Sequence, residues 1–189
     1  MLNAFRQSLS PLVDLSDQAW REIEARAVPV EFGRGDVLLR VGERSGRIVW
    51  LHSGGVRYYA LRDGNEHVTG FDFEGAFAGD YGDFFEGRPA SHTAEAIEAV
   101  EGLAITSADY RALVELAPGL SALKAVAADR LVEGLRTRAS ESQQIPAEER
   151  YRRLLDRSPH VILRVPQYMV ASYLGVTPEA LSRIRRRLR

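Results

Sequence analysis

The stretch from Pro166 to Arg189 constrains this chain most. It reads as two short helices joined at Gly175. Proline suits the first turn of a helix, where its missing N–H costs nothing, and glycine takes the left-handed conformation that ends one. Thr177 is placed as the N-cap of the second helix, with Pro178 at its first position. Val170, Ala171 and Leu174 on the first helix, and Val176, Leu181, Ile184 and Leu188 on the second, fall where the two must touch. The small Ala171 lets them cross closely.

On the outward face Glu179, Ser182, Arg183 and Arg186 recur at i, i+3, i+4 and i+7, flanked by Arg185, Arg187 and Arg189. Arginine offers a rigid fork of donors for guanine edges and phosphates, and an exposed helix fits the major groove. The pattern predicts a helix-turn-helix that binds double-stranded DNA through Thr177, Glu179, Ser182, Arg183, Arg185, Arg186, Arg187 and Arg189. The plainer alternative is a solvated helical hairpin that happens to end in arginines.

Charge divides along the chain in the same sense. The net charge is −1, yet residues 146–189 hold ten arginines against four acids, a balance of +6, and the preceding residues carry −7. A basic tail on an acidic body suits a polyanion partner for the tail alone. Lys124 is the only lysine, so base composition of the gene also contributes to the arginine count.

The absence of cysteine excludes disulfides, thiol catalysis, thiolate zinc sites and cysteine-ligated iron–sulfur clusters together. Residues 1–6 lack the basic and apolar segments of a signal peptide, and no apolar run is long enough to span a membrane. A cytoplasmic protein is expected. No nucleophile motif or Walker-type phosphate loop occurs, so no enzymatic activity is expected either.

Along the chain, Ser16 is placed as an N-cap for a helix over about residues 17–27, with Leu15 and Trp20 as its hydrophobic staple. From Val28 to Ile105 short apolar runs alternate with glycines, among them Val37–Leu39, Arg47–Leu51, Val56–Ala60 and His67–Thr69. Asp63-Gly64 marks a hairpin turn. Many short strands predict an antiparallel barrel or jelly-roll. Leu113, Leu116, Leu120, Leu123, Ala127 and Leu131 then recur at helical steps, with Pro118 dividing a short helix from a longer one that begins near Gly119. The apolar stripe of the longer helix fits packing on its own barrel or on the same helix of a second subunit. Ala139 to Ile145 reads as a hinge, Pro146 opens another helix, and His160 to Val165 reads as a single strand before the helix-turn-helix.

This order of parts resembles the Crp/Fnr family of bacterial transcription regulators over nearly the whole chain. The most specific portions are Leu174–Ile184 and the run Phe77-Ala78-Gly79-Asp80. The resemblance implies an α+β fold: an N-terminal antiparallel β-roll over residues 1–107, a dimerisation helix and hinge over 108–145, and a helix-turn-helix over 146–189. It also implies a homodimer on palindromic DNA, with RNA polymerase as a further partner. Under it Leu120, Leu123, Ala127 and Leu131 become the two-fold seam, and Glu179 and Arg183 match positions that contact bases.

Three departures stand out. Pro178 replaces the arginine that commonly precedes the glutamate. The sequence stops at Arg189, so the β-hairpin wing of many members is expected to be absent or replaced by the terminal arginines. In the effector pocket, Gly79-Asp80 stands for the family's Gly-Glu pair, with Asp80 on a ribose hydroxyl. The Arg-Ser pair falls at Ala90-Ser91, so the phosphate-binding arginine is missing, with Arg88 two residues away. The segment Phe71–Gly87 holds Asp72, Glu74, Asp80, Asp83 and Glu86 and no basic residue. Neither cyclic AMP nor cyclic GMP is expected as effector; no cofactor is predicted, and the effector is left unassigned.

Two other classes compete. A β-roll resembles a cupin barrel, whose metal needs a closely spaced His-x-His, whereas His52, His67 and His92 are scattered. A β-roll sensor acting through protein contacts alone would carry a tail that does not bind DNA. For the regulator, the expected mechanism is a population shift in which the long helices change the spacing of the reading heads.

Overall fold

The computed structural model describes residues 1–188, apart from the side chains of residues 141–143. The chain divides into two compact units, Met1–Tyr58 with Phe71–Asp129, and Tyr59–Gly70 with Arg130–Arg189. The fold is α+β, with eight strands among the described residues followed by a series of helices. Among the described residues no helix is long and apolar enough to cross a membrane.

The first unit opens with α1 (Leu2–Leu9) and α2 (Asp17–Arg26). Ser16 caps α2, its hydroxyl accepting the Ala19 amide at 3.2 Å. The strands are β1 (Val28–Phe32), β2 (Val37–Leu39), β3 (Arg47–Ser53), β4 (Val56–Arg62), β5 (Asn65–Asp72), β6 (Phe77–Ala78), β7 (Thr93–Ala96) and β8 (Val100–Thr106), with α3 (Tyr81–Glu86) between β6 and β7. They form two four-stranded sheets, ordered β1-β8-β3-β6 and β2-β7-β4-β5. Asp63 and Gly64 join β4 to β5 with φ of 52° and 77°, the paired left-handed turn that suits the strand twist.

Alternation along β3 explains why its apolar run is unbroken. Val49 and Leu51 point inward with Leu38, Val56, Ala94 and Val100. Trp50 points outward, into a second core with Phe5, Trp20, Ile23, Leu103 and Leu113. Both faces are covered, so polar positions are absent from its centre. Phe5 lies 5.3 Å from Trp50, ring centre to ring centre, and ties α1 to the sheet.

After α4 (Ser107–Leu116), Pro118 starts a 3-10 turn, Pro118–Ser121, before α5 (Ala122–Gln144). The long helix therefore begins three residues later than Gly119. This changes the expected seam. Leu120 falls in the turn rather than on the helix and is 2% exposed, buried with the outer core of its own chain. Leu123 is half-buried against the same cluster. Ala127 is half-buried, and Leu131 is exposed. Because the 3-10 turn winds tighter than an α-helix, it shifts the register that a single helical stripe assumes.

Two other expectations are corrected. Residues Ala139 to Gln144 continue α5, and the break is confined to Ile145 and Pro146, where proline restricts its predecessor and ends the helix. His160 to Val165 is not a strand but largely α7 (Pro159–Arg164), following α6 (Ala147–Arg157). Proline fits the start of α7, and the buried pair Val161 and Val165 is spaced by four, as on a helix face. Then come α8 (Gln167–Tyr173) and α9 (Pro178–Arg187).

Candidate nucleic-acid interface and sensor pocket

The turn between α8 and α9 is built as its residues require. Gly175 has φ of +66°, and the Val176 amide donates back to the Ala171 carbonyl at 3.0 Å, closing α8. Thr177 caps α9 by accepting the Ala180 amide at 3.2 Å, a contact worth about 1 kcal/mol in typical helices. Val170, Ala171, Leu174, Leu181 and Ile184 are buried, and Ala171 is fully enclosed. Val176 and Leu188 are half-buried beside them.

The opposite face is open. Thr177, Glu179, Ser182, Arg183, Arg186 and Arg187 are exposed, whereas Arg185 is half-buried at the flank. Arg183, Arg186 and Arg187 line a recess of about 460 Å³. Glu179 is held below the usual carboxylate range by its own amide and the Thr177 hydroxyl, with Arg183 adding to the effect. Arg187 is 3.4 Å from Glu148 on α6. Arg189 lies outside the described residues.

Three supports of this helix-turn-helix leave no local trace in the sequence. Arg150 donates to the carbonyls of Leu174 and Ile145, each at 2.8 Å, and so satisfies the end of α8. Arg138 stacks over Tyr173 at 4.9 Å. Ser172 Oγ accepts the Val68 amide at 3.0 Å and donates to the Glu66 carbonyl at 3.2 Å. The β4–β5 hairpin tip therefore belongs to the same compact unit as the helix-turn-helix. A serine hydroxyl is both donor and acceptor, so one side chain serves both groups.

The sequence places the sensor pocket at Gly79, Asp80, Arg88, Ala90 and Ser91. Asp80 is buried and caps α3, accepting the Asp83 amide at 3.0 Å. Its other oxygen accepts both the Ser91 amide and the Ser91 hydroxyl at 2.8 Å, with His92 Nδ1 at 3.4 Å. Burial pushes the Asp80 carboxyl up, but the donors from Ser91 and Asp83 outweigh it and hold the group below its usual range. Gly79 adopts φ of +151°, and its amide donates to the Tyr58 hydroxyl at 3.3 Å.

Arg88 lies just past the end of α3, near Gly82. Its guanidinium pairs with Glu86 at 2.8 Å on the exposed surface. Ala90 is buried and joined to the β2–β3 loop through its carbonyl, which accepts from Gly42, and its amide, which donates to Glu43. The acids of Phe71–Gly87 also differ from a loose solvated field. Glu74 accepts the Gly54 amide at 3.0 Å. Asp83 accepts the amides of Ser45 and Gly46 and the Ser45 hydroxyl. Asp72 accepts the Tyr58 hydroxyl at 2.6 Å, and burial raises its carboxyl in spite of that bond. The sequence makes these residues visible as acids, but not as pins for glycine-rich turns.

Residues 29–116 match the family model of the cyclic nucleotide-binding domain. The chain is similar in structure to FixK2 from Bradyrhizobium japonicum, with 18% identity, 86% of this chain and 84% of that one covered, and a TM-score of 0.76. It is also similar to the c-di-GMP responsive global regulator CLP of Xanthomonas campestris, with 21% identity, 92% and 91% coverage and a TM-score of 0.70. The chain has a Crp/Fnr-like fold. The catabolite activator protein of Thermus thermophilus shares that fold at 21% identity, 92% and 84% coverage and a TM-score of 0.58. A search of curated protein sequences finds no match.

The histidines weighed for a cupin-like metal are placed apart within this fold. His52 stacks on Trp50, His67 is exposed on β5, and His92 sits against Tyr58 and Asp80. Among the described residues no three His, Asp or Glu side chains group as a metal site.

Proposed function

We propose that this protein is a sequence-specific DNA-binding transcription regulator that acts in the cytoplasm as a homodimer on a palindromic operator. The observation that carries the reading is the outward face of α9, where Glu179, Ser182, Arg183 and Arg186 are exposed above a buried apolar face. Glu179 and Ser182 offer hydrogen-bonding groups to base edges, Arg183 a bidentate fork, and Arg186 and Arg187 charge for phosphates. The Crp/Fnr-like fold supports the same assignment.

The dimer seam is carried by exposed apolar residues of α5. Leu131, Val132 and Leu135 are 48%, 45% and 57% exposed. With the exposed Ala125 and Ala128 they follow the three- and four-residue steps of a coiled-coil stripe. This stripe replaces Leu120, while Leu131 is retained from the expected set.

In the roll, neither cyclic AMP nor cyclic GMP acts as effector. A buried cyclic phosphate needs a paired cation, whereas Ala90 is apolar and Arg88 pairs outside with Glu86. Selection of bound sequences from a random DNA pool, followed by fluorescence anisotropy over a salt series, tests the DNA reading. Binding that is insensitive to salt would contradict it. Calorimetric titration with both nucleotides tests the pocket, with no saturable heat expected.

A further inference from the structure

The last three residues before Gly175 are each held by a different element. Ser172 bonds to the backbone of β5, accepting the Val68 amide and donating to the Glu66 carbonyl. The Tyr173 ring lies under the Arg138 guanidinium of α5, 4.9 Å from the ring centre. The Leu174 carbonyl accepts from Arg150 of α6 at 2.8 Å. All of these residues belong to the unit formed by Tyr59–Gly70 and Arg130–Arg189. Helix α9 starts at Pro178, directly beyond the turn, so whatever fixes these three residues also fixes where α9 points.

We infer that Arg138 and Tyr173 form a positioning contact, which sets the direction of α9 relative to α5 and thereby the spacing at which two half-sites are read. The inference rests on the reading above, a regulator paired through α5 on a palindromic operator. It adds the residues that define the spacing.

The three contacts play different parts. Arg150 also donates to the Ile145 carbonyl, so it ties the link to α6 and α8 and moves with the helix-turn-helix. Ser172 faces the hairpin. Of the three, only the Tyr173 contact reaches back across Ile145 and Pro146 to α5, where Arg138 lies about two turns before the helix ends. Pro146 restricts the link, but soft dihedrals remain on either side of it, so a contact across the break is needed to fix the angle.

Burial along α5 marks the same place. From Ala128 to Ser140 every residue is exposed except Thr137 and Arg138. Thr177, Glu179, Ser182 and Arg183 stay exposed with the stack in place, so the contact aims the outward face of α9 and does not cover it.

Arg138→Gln removes the stack, Arg138→Lys keeps a cation over the ring, and neither alters α8 or α9. Anisotropy is measured on the selected operator, on the same operator with one or two base pairs added between its halves, and on a duplex holding a single half-site. Arg138→Gln is expected to weaken binding at the native spacing roughly two- to fivefold per subunit, the range of an exposed cation–π pair. It should leave the single half-site unchanged and reduce the penalty for added base pairs, and Arg138→Lys should restore most of the loss. Equal losses on operator and half-site would make Arg138 a plain phosphate contact and overturn the inference. An unchanged dependence on spacing would overturn it too.

A measurement without DNA separates this inference from the regulator reading. The chain has no cysteine, so Glu133→Cys and Ser182→Cys place a nitroxide pair on α5 and α9 alone. With labelled subunits diluted in unlabelled protein, pulsed electron resonance gives the distance within one subunit. Arg138→Gln must shift or broaden that distance, and an unchanged distribution overturns the inference. Should the unaltered protein bind no DNA, the regulator reading fails while the distance result still decides the positioning role.

Discussion

Arg187 on the outward end of α9 lies 3.4 Å from Glu148 on α6, so one cation of the face proposed to meet DNA is paired with an acid of the same chain. Glu148 also lies 3.5 Å from Arg152. On the proposed reading the acid competes with DNA for Arg187. Replacing Glu148 with glutamine is expected to tighten DNA binding by up to about fivefold at low salt, the range of a partly exposed ion pair. The gain should vanish as salt rises. Anisotropy at two ionic strengths measures it, and weaker binding at low salt would contradict the competition.

Arg183 and Arg187 are expected to fail differently. Arg183→Ala loses a base contact, costing about 1–3 kcal/mol at the preferred site and relaxing its specificity. Arg187→Ala weakens all sequences alike and lowers the salt slope by about one. Competition with random DNA separates the two. Equal losses on specific and random DNA for Arg183→Ala would remove it from base reading.

The seam separates from the core by its response to charge. Leu135 is 57% exposed in one chain, so Leu135→Glu is expected to leave the subunit folded. In a dimer it would bury charge against its symmetry mate, at a cost of several kcal/mol. Sedimentation should then give a folded monomer that has lost tight operator binding. Leu120→Glu is expected instead to unfold the chain, because Leu120 is buried in the cluster that holds Phe5 and Ile23. A Leu135→Glu protein that stays dimeric at micromolar concentration would exclude this stripe.

Asp72 and Asp80 pull stability in opposite directions with pH. The folded Asp72 carboxyl is raised, so the native state binds its proton more readily than the unfolded chain, and stability is lost as pH rises through the folded value. Asp72→Asn removes that loss, and its melting temperature relative to the unaltered protein is expected to rise between pH ~4 and neutrality. Asp80 is lowered, so its contribution is present above the ordinary carboxylate value and fades as pH falls through the folded value. Asp80→Asn is expected to be destabilised at neutral pH, with the difference shrinking in acid. Melting curves across pH test both, and parallel profiles for the two variants would contradict the assignment.

The parts legible in the sequence are those whose signals are local. Gly175, Thr177 and the apolar spacing around them specify a turn within a few residues, and Asp63-Gly64 specifies a hairpin. His160–Val165 defeats a reading by pattern because a short apolar run fits a strand or a buried helix alike; only the burial of Val161 and Val165 separates them. Leu120 escapes the helical stripe because a 3-10 turn breaks the period that the spacing assumes. The sequence places Asp80 and Ser91 in one pocket, but the bond between them crosses a helix and a loop, so only the fold shows it.

Ser172 holds the Val68 amide across 104 positions of sequence. At typical synthesis rates of about 5–20 residues per second, the hairpin leaves the ribosome roughly 5–20 s before the serine that will grip it. The helix-turn-helix is therefore completed by a strand edge made long beforehand, and a C-terminal fragment starting at Arg130 would be born without that edge. Its Ser172 hydroxyl would turn to water, and the α8 surface that meets the hairpin would be uncovered.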